Sequence, residues 1–229
     1  YLFYSAERTG DPEMWLYNSS FTNIGHNDDG AGSLNSRIEA TLTAGSTYYL
    51  IARHHNANTG KYTLYTCYSA DIPSGACYIK NIGSEQYVDI HGPDAQELVH
   101  QWTFHDGYQA RWKIQRQSDG SYVIRSEYGQ KKYIGADSTN ITSDNIKLYT
   151  SVSSTVKWKI FTNSKGILVF EPVNAPGKAL FAPNNSTHTE LQLQWLSYSS
   201  SLRHKWCFEV RSKTTLEGQR TDVWCWAAS

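Results

Sequence analysis

The chain has 229 residues, a formal net charge of zero and 14% aromatic residues, among them 16 Tyr and 8 Trp. Lys and Arg form no cluster, so charge gives no support for binding to nucleic acid or to an anionic membrane. No apolar run reaches the roughly 20 residues of a spanning helix, so no membrane span is predicted. The length suits two small domains, and the many aromatic residues favour strands, so we predict an all-β protein.

The first 67 residues are predicted to form a β-sandwich. The chain opens on Tyr1-Leu-Phe-Tyr, which has the composition of the middle of a strand, so we expect the sequence to begin inside a longer precursor. Residues 37–42 alternate between apolar and polar side chains, as in a half-buried strand. Residues 48–52 are apolar enough for a central strand, and turn residues separate the predicted strands, as in sandwiches.

Spaced segments of this region are similar to the bacterial pre-peptidase C-terminal domain, a small jelly-roll sandwich found beside secreted peptidases. The matching segments are residues 11–17, 27–29, 36–38, 42–45, 48–50 and 60–64. The first strand of that family is missing here, which implies an N-terminally truncated domain. The resemblance implies binding of calcium or of a matrix polymer.

A polar loop in the same region offers oxygen ligands for a metal ion. Asn27, Asp28 and Asp29 carry the hard oxygen atoms that calcium prefers, so the candidate cofactor is calcium. The alternative is a solvated turn, because Asn-Asp-Asp-Gly is also ordinary turn chemistry. Residues 68–76 contain Pro73, Ser74 and Gly75, which are typical of turns and loops, and are predicted to be a linker.

Residues 77–211 contain a similar sequence pattern three times. Each copy has an apolar strand, a turn, a second strand and a closing Trp, and the closing Trp residues are 46 and 48 positions apart. The closing residues are Trp112, Trp158 and Trp206, which we expect in the core, and Trp102, Tyr149 and Trp195 precede them. Three β-rich copies of this period predict a closed barrel.

The threefold repeat resembles the ricin-type β-trefoil lectins, whose copies each end in Gln-any-Trp. Here the Gln places hold Ala110, Val156 and His204, so only the Trp of that signature remains. Carried over from the family, the first copy supplies a sugar site: a carboxylate, an aromatic ring and an amide, which are Asp89, Trp102 and Gln109.

The chemistry of that predicted site is specific. A carboxylate accepts hydrogen bonds from two neighbouring sugar hydroxyls, and an aromatic ring packs on the apolar face of the sugar. The second and third copies have Gly135 and Phe181 in the place of the carboxylate, so we expect their sites to be lost. His91 and His105 are near the predicted pocket and could make binding pH-dependent. The alternative is a trefoil that serves as a spacer or protein-contact module.

Three of the four cysteines leave their pairing open. Cys77 and Cys207 lie in the first and last strands of the predicted barrel, which would be neighbours. Cys67 and Cys77 flank the linker and are the rival pair. The third alternative is that all three are free thiols of small buried residues.

The last 18 residues, 212–229, contain Gln219 six positions before Cys225, followed by Trp-Ala-Ala. This spacing resembles the start of a papain-like cysteine peptidase, in which the residue at the Cys225 position is the nucleophile and the residue at the Gln219 position donates to the oxyanion. The resemblance implies that the tail starts a helix, whose N-terminus would stabilise the thiolate. Every His of the chain precedes Cys225, so the base His and its Asn are absent and no peptidase activity is expected.

The sequence therefore predicts a sandwich at 1–67, a linker at 68–76, a trefoil at 77–211 and the start of a peptidase domain at 212–229. The predicted function is binding of a glycan or extracellular matrix polymer beside a secreted bacterial cysteine peptidase, with the downstream peptidase domain as a partner. The alternatives are the peptidase itself, completed by absent sequence, and a structural prosegment.

Overall fold

A computed structural model describes residues 1–32, 34–55, 59–69, 71–137, 146–163, 165–196 and 201–210. Regular structure in these ranges consists of β-strands and short 3-10 turns, so the predicted all-β class is confirmed. The described ranges contain no helix that has both the length and the apolar character needed to cross a membrane. Gln219 and Cys225 lie outside the described residues, so the peptidase-like tail and its helix stay predictions.

The three copies form a β-trefoil, and the first and closing strands of each copy build its barrel. Six strands close the barrel in the order β7-β10-β11-β14-β15-β19 and back to β7. These strands are β7 Ala76–Asn81, β10 Trp112–Arg116, β11 Tyr122–Ser126, β14 Lys157–Thr162, β15 Leu168–Pro172 and β19 Trp206–Glu209. Because every barrel strand pairs with two others, the barrel has no open edge.

Three further hairpins, one in each copy, complete the trefoil. They pair β8 with β9, β12 with β13, and β16 with β18, and β9 also pairs with the short strand β17. Their bounds are β8 Tyr87–Asp89, β9 His100–Trp102, β12 Tyr133–Ala136, β13 Ile146–Tyr149, β16 Lys178–Phe181, β17 Thr189–Glu190 and β18 Gln192–Trp195.

The three closing Trp residues make the same contact in each copy. Trp112, Trp158 and Trp206 are fully buried in one apolar cluster, as the sequence predicted. The indole Nε1 of each donates to a backbone carbonyl oxygen in the second strand of its own copy, at 2.9, 2.9 and 3.1 Å. A buried indole N–H needs such a partner, so each Trp fastens its hairpin to the barrel.

The first module, residues 1–69, is built from two small sheets around a separate apolar cluster. One sheet has the order β4-β1-β6 and the other has the order β3-β2-β5. The strands are β1 Leu2–Thr9, β2 Pro12–Asn18, β3 Asn23–Asn27, β4 Arg37–Glu39, β5 Tyr48–His54 and β6 Lys61–Ser69. Phe3, Met14, Leu16 and Ile38 are the buried residues between the sheets.

Two predicted strands of this module differ from the observed ones. The segment 48–52 was expected to be central, but β5 pairs only with β2 among the described strands and alternates in exposure along its length. Ile51 is exposed because one face of this edge strand meets solvent. The alternation predicted for 37–42 gives only the three-residue strand β4.

The first module and the trefoil share a sheet and an apolar interface. Strand β6 runs through Ser69, into the segment predicted to be a linker, and pairs with β14 of the trefoil. The interface cluster combines Leu2, Tyr4 and Ala31 of the first module with Phe161, Val169, Ala179 and Leu196 of the trefoil. The backbone pairing and the shared core therefore hold the two parts together.

A buried ion pair joins the same two parts. Arg37 of β4 donates from Nε and from a terminal nitrogen to the two carboxylate oxygens of Glu171 on β15, the first at 2.9 Å. Glu171 is completely buried, and burial raises its pKa although Arg37 and the amide of Gly177 act in the opposite direction. Planar two-point pairing of this kind satisfies both charged groups in the interface.

Neither predicted disulfide is present, because Cys77 and Cys207 are both free. In the pairing of β7 with β19, Cys207 lies opposite Lys80, three positions from Cys77. At about 3.3 Å per residue that separation is roughly 10 Å, beyond the reach of a disulfide. Burial raises the pKa of Cys77 to about 12, so its thiol stays protonated.

Candidate functional site

The predicted sugar site lies on one face of the β8–β9 hairpin in the first copy. Asp89 pairs with His100 across the hairpin, and Tyr87 pairs with Trp102. Side chains opposite each other in antiparallel strands share a face, and so do residues two positions apart. The hairpin therefore presents Asp89, His100 and Trp102 together, while Val88 points into the barrel core.

Asp89 lies at the base of this face and is only 4% exposed. Its Oδ2 atom accepts a hydrogen bond from Nε2 of His105 at 2.6 Å. Its Oδ1 atom is 3.3 Å from Nε2 of His100, but the two groups are not aligned for a hydrogen bond. The sequence predicted direct contact of this carboxylate with sugar hydroxyls, whereas here two imidazoles flank it.

The loop that carries His105 is anchored on both sides of that residue. Phe104 packs edge-on against the rings of Tyr78 and Tyr87, with ring centres 5.2 Å apart in both cases. Asp106 accepts hydrogen bonds from Tyr78 and from Arg111, the latter at 2.6 Å. Because its two neighbours are fixed in this way, His105 is directed towards Asp89.

Gln109 lies beside His105, while Trp102 contacts His91, His100 and His188. A Cβ atom at Gly107 would be 2.5 Å from both Oε1 of Gln109 and Nδ1 of His105, so a larger residue there would displace these side chains. The backbone N–H of Gly107 donates to that Nδ1 at 3.1 Å. Trp102 is half-buried, and its ring is 5.9 Å from that of His100.

The second copy has a different arrangement at the equivalent place. Gly135 stands where Asp89 stands in the first copy, and a Cβ there would be 2.7 Å from the ring of Tyr149. Burial and then the neighbouring Asp137 raise the pKa of Tyr149 to about 12. Asp137 itself is paired with Lys147 at 3.5 Å. The Tyr149 ring thus covers the position that a carboxylate would need.

In the third copy, apolar packing and the first module cover the site. Phe181 packs against the buried His204, with ring centres 4.6 Å apart. Gly32 of the first module lies against Trp195, because a Cβ at Gly32 would be 2.4 Å from that ring. The first copy is therefore the one that keeps a carboxylate with polar side chains beside it.

The three residues predicted to bind calcium do not act as one set. Oδ1 of Asn27 accepts hydrogen bonds from the backbone N–H groups of Gly30 and Arg37, both at 2.7 Å, and so stabilises the turn. Asp28 and Asp29 instead group with Asp11, with one carboxylate oxygen of each within 4.8 Å of the others. Burial and the neighbouring carboxylates of Asp29, Asp11 and Glu13 raise the pKa of Asp28 against the effect of His55. This carboxylate group has the donor chemistry of a calcium site.

A cleft of about 630 Å³ lies away from this face, where the first module meets the trefoil. Its walls include Tyr1, Glu39, Asp119 and Lys159. Lys159 donates to Glu39 at 2.6 Å, so the charges there are paired across the two parts. None of the predicted site residues lines this cleft.

His100 and His188 were not predicted as site residues. His188 belongs to the third copy but lies next to Trp102, with ring centres 5.3 Å apart. The pairing of β9 with β17 brings it there. A separation of 86 residues between Trp102 and His188 leaves no local signal that could have revealed this contact.

Comparison with known families supports a lectin-like trefoil. Residues 37–150 match the family model described as "Ricin-type beta-trefoil lectin domain-like". The match therefore begins in the first module and ends within the second copy, before its closing Trp158. No curated protein gives a significant match to the chain.

Solved structures with similar folds include two lectins and a designed trefoil. The Rhizoctonia solani agglutinin is 18% identical, with a TM-score of 0.53 over 62% of this chain and 98% of its own. The Macrolepiota procera ricin B-like lectin, solved with lactose, is 15% identical, with a TM-score of 0.52 over 62% of this chain and 100% of its own. The designed threefold-symmetric protein ThreeFoil is 18% identical, with a TM-score of 0.51 over 59% and 99%. These likenesses concern the fold, and together with the family match they support a ricin-type β-trefoil lectin domain.

Proposed function

We propose that the chain is a carbohydrate-binding protein and that its glycan site is the β8–β9 face of the first copy. The observation that carries this proposal is that Asp89 and Trp102 share one face of the hairpin, while His105 contacts Asp89 and Gln109 lies beside His105. A carboxylate, an amide and an aromatic ring together are the groups that recognise the polar and apolar sides of a sugar.

Each of these groups has a distinct part in the proposed site. A carboxylate has about four acceptor positions, and the two imidazoles beside Asp89 use two of them at most, so a sugar hydroxyl entering beside His105 still finds an acceptor. Gln109 supplies both a donor and an acceptor next to His105. Trp102 supplies the apolar surface on which the C–H face of the sugar packs.

Binding is assigned to the first copy alone, because the other two copies lack the carboxylate. Tyr149 covers the place of the carboxylate in the second copy, and the first module covers Trp195 in the third. One site per chain implies weak binding to isolated sugars and stronger binding to surfaces that display many glycans.

The wider role proposed for the lectin module is delivery of a secreted bacterial cysteine peptidase to glycans or matrix. Its support is the spacing of Gln219 and Cys225 in the tail, together with the resemblance of residues 1–67 to a domain found beside secreted peptidases. The rival role is that of a spacer or prosegment, for which the joined core of the two parts is the favouring observation.

A glycan array probed with the full chain tests the proposed function. We expect binding to a defined set of glycans. Trp102→Ala should weaken that binding at least about tenfold, because the packing surface for the sugar is lost.

The matched control is Tyr149→Ala, which removes the aromatic residue at the corresponding position of the second copy. Its binding should equal that of the unaltered chain. Absence of binding to any glycan would favour the spacer role, and equal losses in the two variants would remove the assignment to the first copy.

A further inference from the structure

Three histidines converge beside the proposed sugar site, although they come from different parts of the chain. His91 follows β8, His100 lies in β9 and His188 precedes β17. The pairing of β9 with β17 brings the third copy against the first at this point. One ring nitrogen from each histidine lies within 4.8 Å of the other two.

His100 has a nitrogen atom that lacks a hydrogen-bond partner. The residue is 1% exposed, and its Nε2 atom makes no hydrogen bond within the described part of the chain. A buried polar atom in this state is unfavourable, because it has lost the hydrogen bonds that water would make with it. Such atoms are uncommon in folded proteins and call for a missing partner, for which a water molecule or an ion is a usual choice.

The other two histidines complete a concave group of nitrogen donors. The Nε2 atoms of His91 and His188 face each other in direct contact, and their ring centres are 4.0 Å apart. Both residues are exposed, so an ion can enter from solvent. The ring of Trp102 lies edge-on to all three imidazoles and limits one side of the group.

We propose that His91, His100 and His188 bind a divalent transition-metal ion, with zinc as the representative ion. Neutral imidazole nitrogens suit zinc, copper and nickel, whereas calcium and magnesium prefer oxygen ligands. Zinc is bound at about 2.0–2.1 Å from each nitrogen, usually with four ligands. The three nitrogens lie within 4.8 Å of one another, and three protein ligands leave the fourth position for water or another ligand.

Asp89 lies next to this metal site. Its Oδ1 atom is 3.3 Å from Nε2 of His100, and its Oδ2 atom is held by His105. Its negative charge beside the three imidazoles favours a bound cation. The bound ion links the β8–β9 hairpin to the loop before β17, so it cross-links the first and third copies.

Calorimetric titration of the metal-free full chain with zinc chloride tests the proposal without any glycan. We expect one strong site per chain and a melting temperature that rises with zinc concentration, because the ion binds the folded state. His91→Ala and His188→Ala should each weaken zinc binding at that site at least about 100-fold. Loss of a residue that only contacts a metal ligand typically lowers metal affinity about 10–100-fold, and loss of the ligand itself should lower it more.

Control variants separate this site from other donors of the chain. His26→Ala removes an exposed histidine of the first module, and Asp28→Asn removes a member of the acidic group. Both should bind zinc as the unaltered chain does. Because His91 and His188 are exposed, their variants should melt at the unaltered temperature when metal is absent.

Cobalt(II) provides an independent readout of the ligand type. Its visible spectrum should indicate nitrogen and oxygen ligands and lack the sulfur-to-metal charge-transfer band of cysteine ligation. The proposal is overturned by absence of a zinc site, by unaltered binding in both histidine variants, or by a thiolate spectrum.

Discussion

Replacing Trp112 by alanine should lower the free energy of unfolding by about 3–5 kcal/mol, the usual range for a buried Trp. Trp112 is fully buried in the main apolar cluster, and its indole N–H donates to the carbonyl of Val88 at 2.9 Å. The substitution removes the side chain from the core and leaves that carbonyl without its donor. Urea denaturation followed by tryptophan fluorescence and far-ultraviolet circular dichroism measures the change.

Two further variants sharpen this result. Trp112→Phe keeps much of the apolar volume but removes the indole donor, so its loss should be smaller than that of the alanine variant. Leu202→Ala changes an exposed residue in the turn before the third closing Trp and should alter stability by no more than about 0.5 kcal/mol. A loss for Trp112→Ala as small as that for Leu202→Ala would contradict the assignment of the closing Trp residues to the core.

Replacing Arg37 by methionine should destabilise the protein by about 3–5 kcal/mol, as expected when one partner of a buried ion pair is removed. Glu171 is completely buried and would keep its carboxylate without the two-point partner. The backbone amide of Gly177, which donates to that carboxylate at 3.2 Å, does not replace the lost positive charge. Urea denaturation of the full chain gives the free energy.

A double variant distinguishes the cost of an unpaired charge from the loss of packing. Arg37→Met combined with Glu171→Leu removes both charges and should be more stable than Arg37→Met alone. Lys159→Met removes a partly exposed partner of Glu39 and should change the free energy of unfolding by less than about 1 kcal/mol. Equal losses for Arg37→Met and Lys159→Met would show that the buried pair does not stabilise the joined modules.

The trefoil could be predicted from the sequence because its signal is periodic. Trp112, Trp158 and Trp206 recur at nearly equal intervals and occupy equivalent buried positions. Each copy is one supersecondary unit, so the repeated pattern directly describes the repeated contacts. The strands of the first module were harder to predict, because the local alternation of apolar and polar residues does not reveal whether a strand is central or at an edge of its sheet.

The contacts between distant segments could not be predicted in this way. Arg37 and Glu171 are 134 residues apart, and no local pattern links them. The sequence predicted two domains separated by a linker, whereas β6 continues into a pairing with β14. Pairing between strands that lie far apart in the sequence depends on the complete fold. No repeated pattern links β6 with β14, so the sequence alone does not predict that they pair.

The candidate site was predicted only in outline. Asp89 was selected from its place in the repeat, but its contacts with His105 and His100 depend on the loop and strand that follow. The calcium prediction selected Asn27, whose side chain instead holds its own turn, and omitted Asp11. Turn chemistry and metal chemistry use the same residue types, so composition alone does not separate them.

The proposed lectin function depends above all on the assignment of the glycan site to Asp89. Its most direct test is calorimetric titration with the glycan that binds best on the array, comparing Asp89→Asn with Asp137→Asn. Asparagine keeps the shape but removes the charge, and a hydrogen bond to a charged group contributes about 1.5–3 kcal/mol, so Asp89→Asn should bind at least about tenfold more weakly. Asp137→Asn, in the second copy, should bind normally. Unaltered affinity of Asp89→Asn would contradict the assignment.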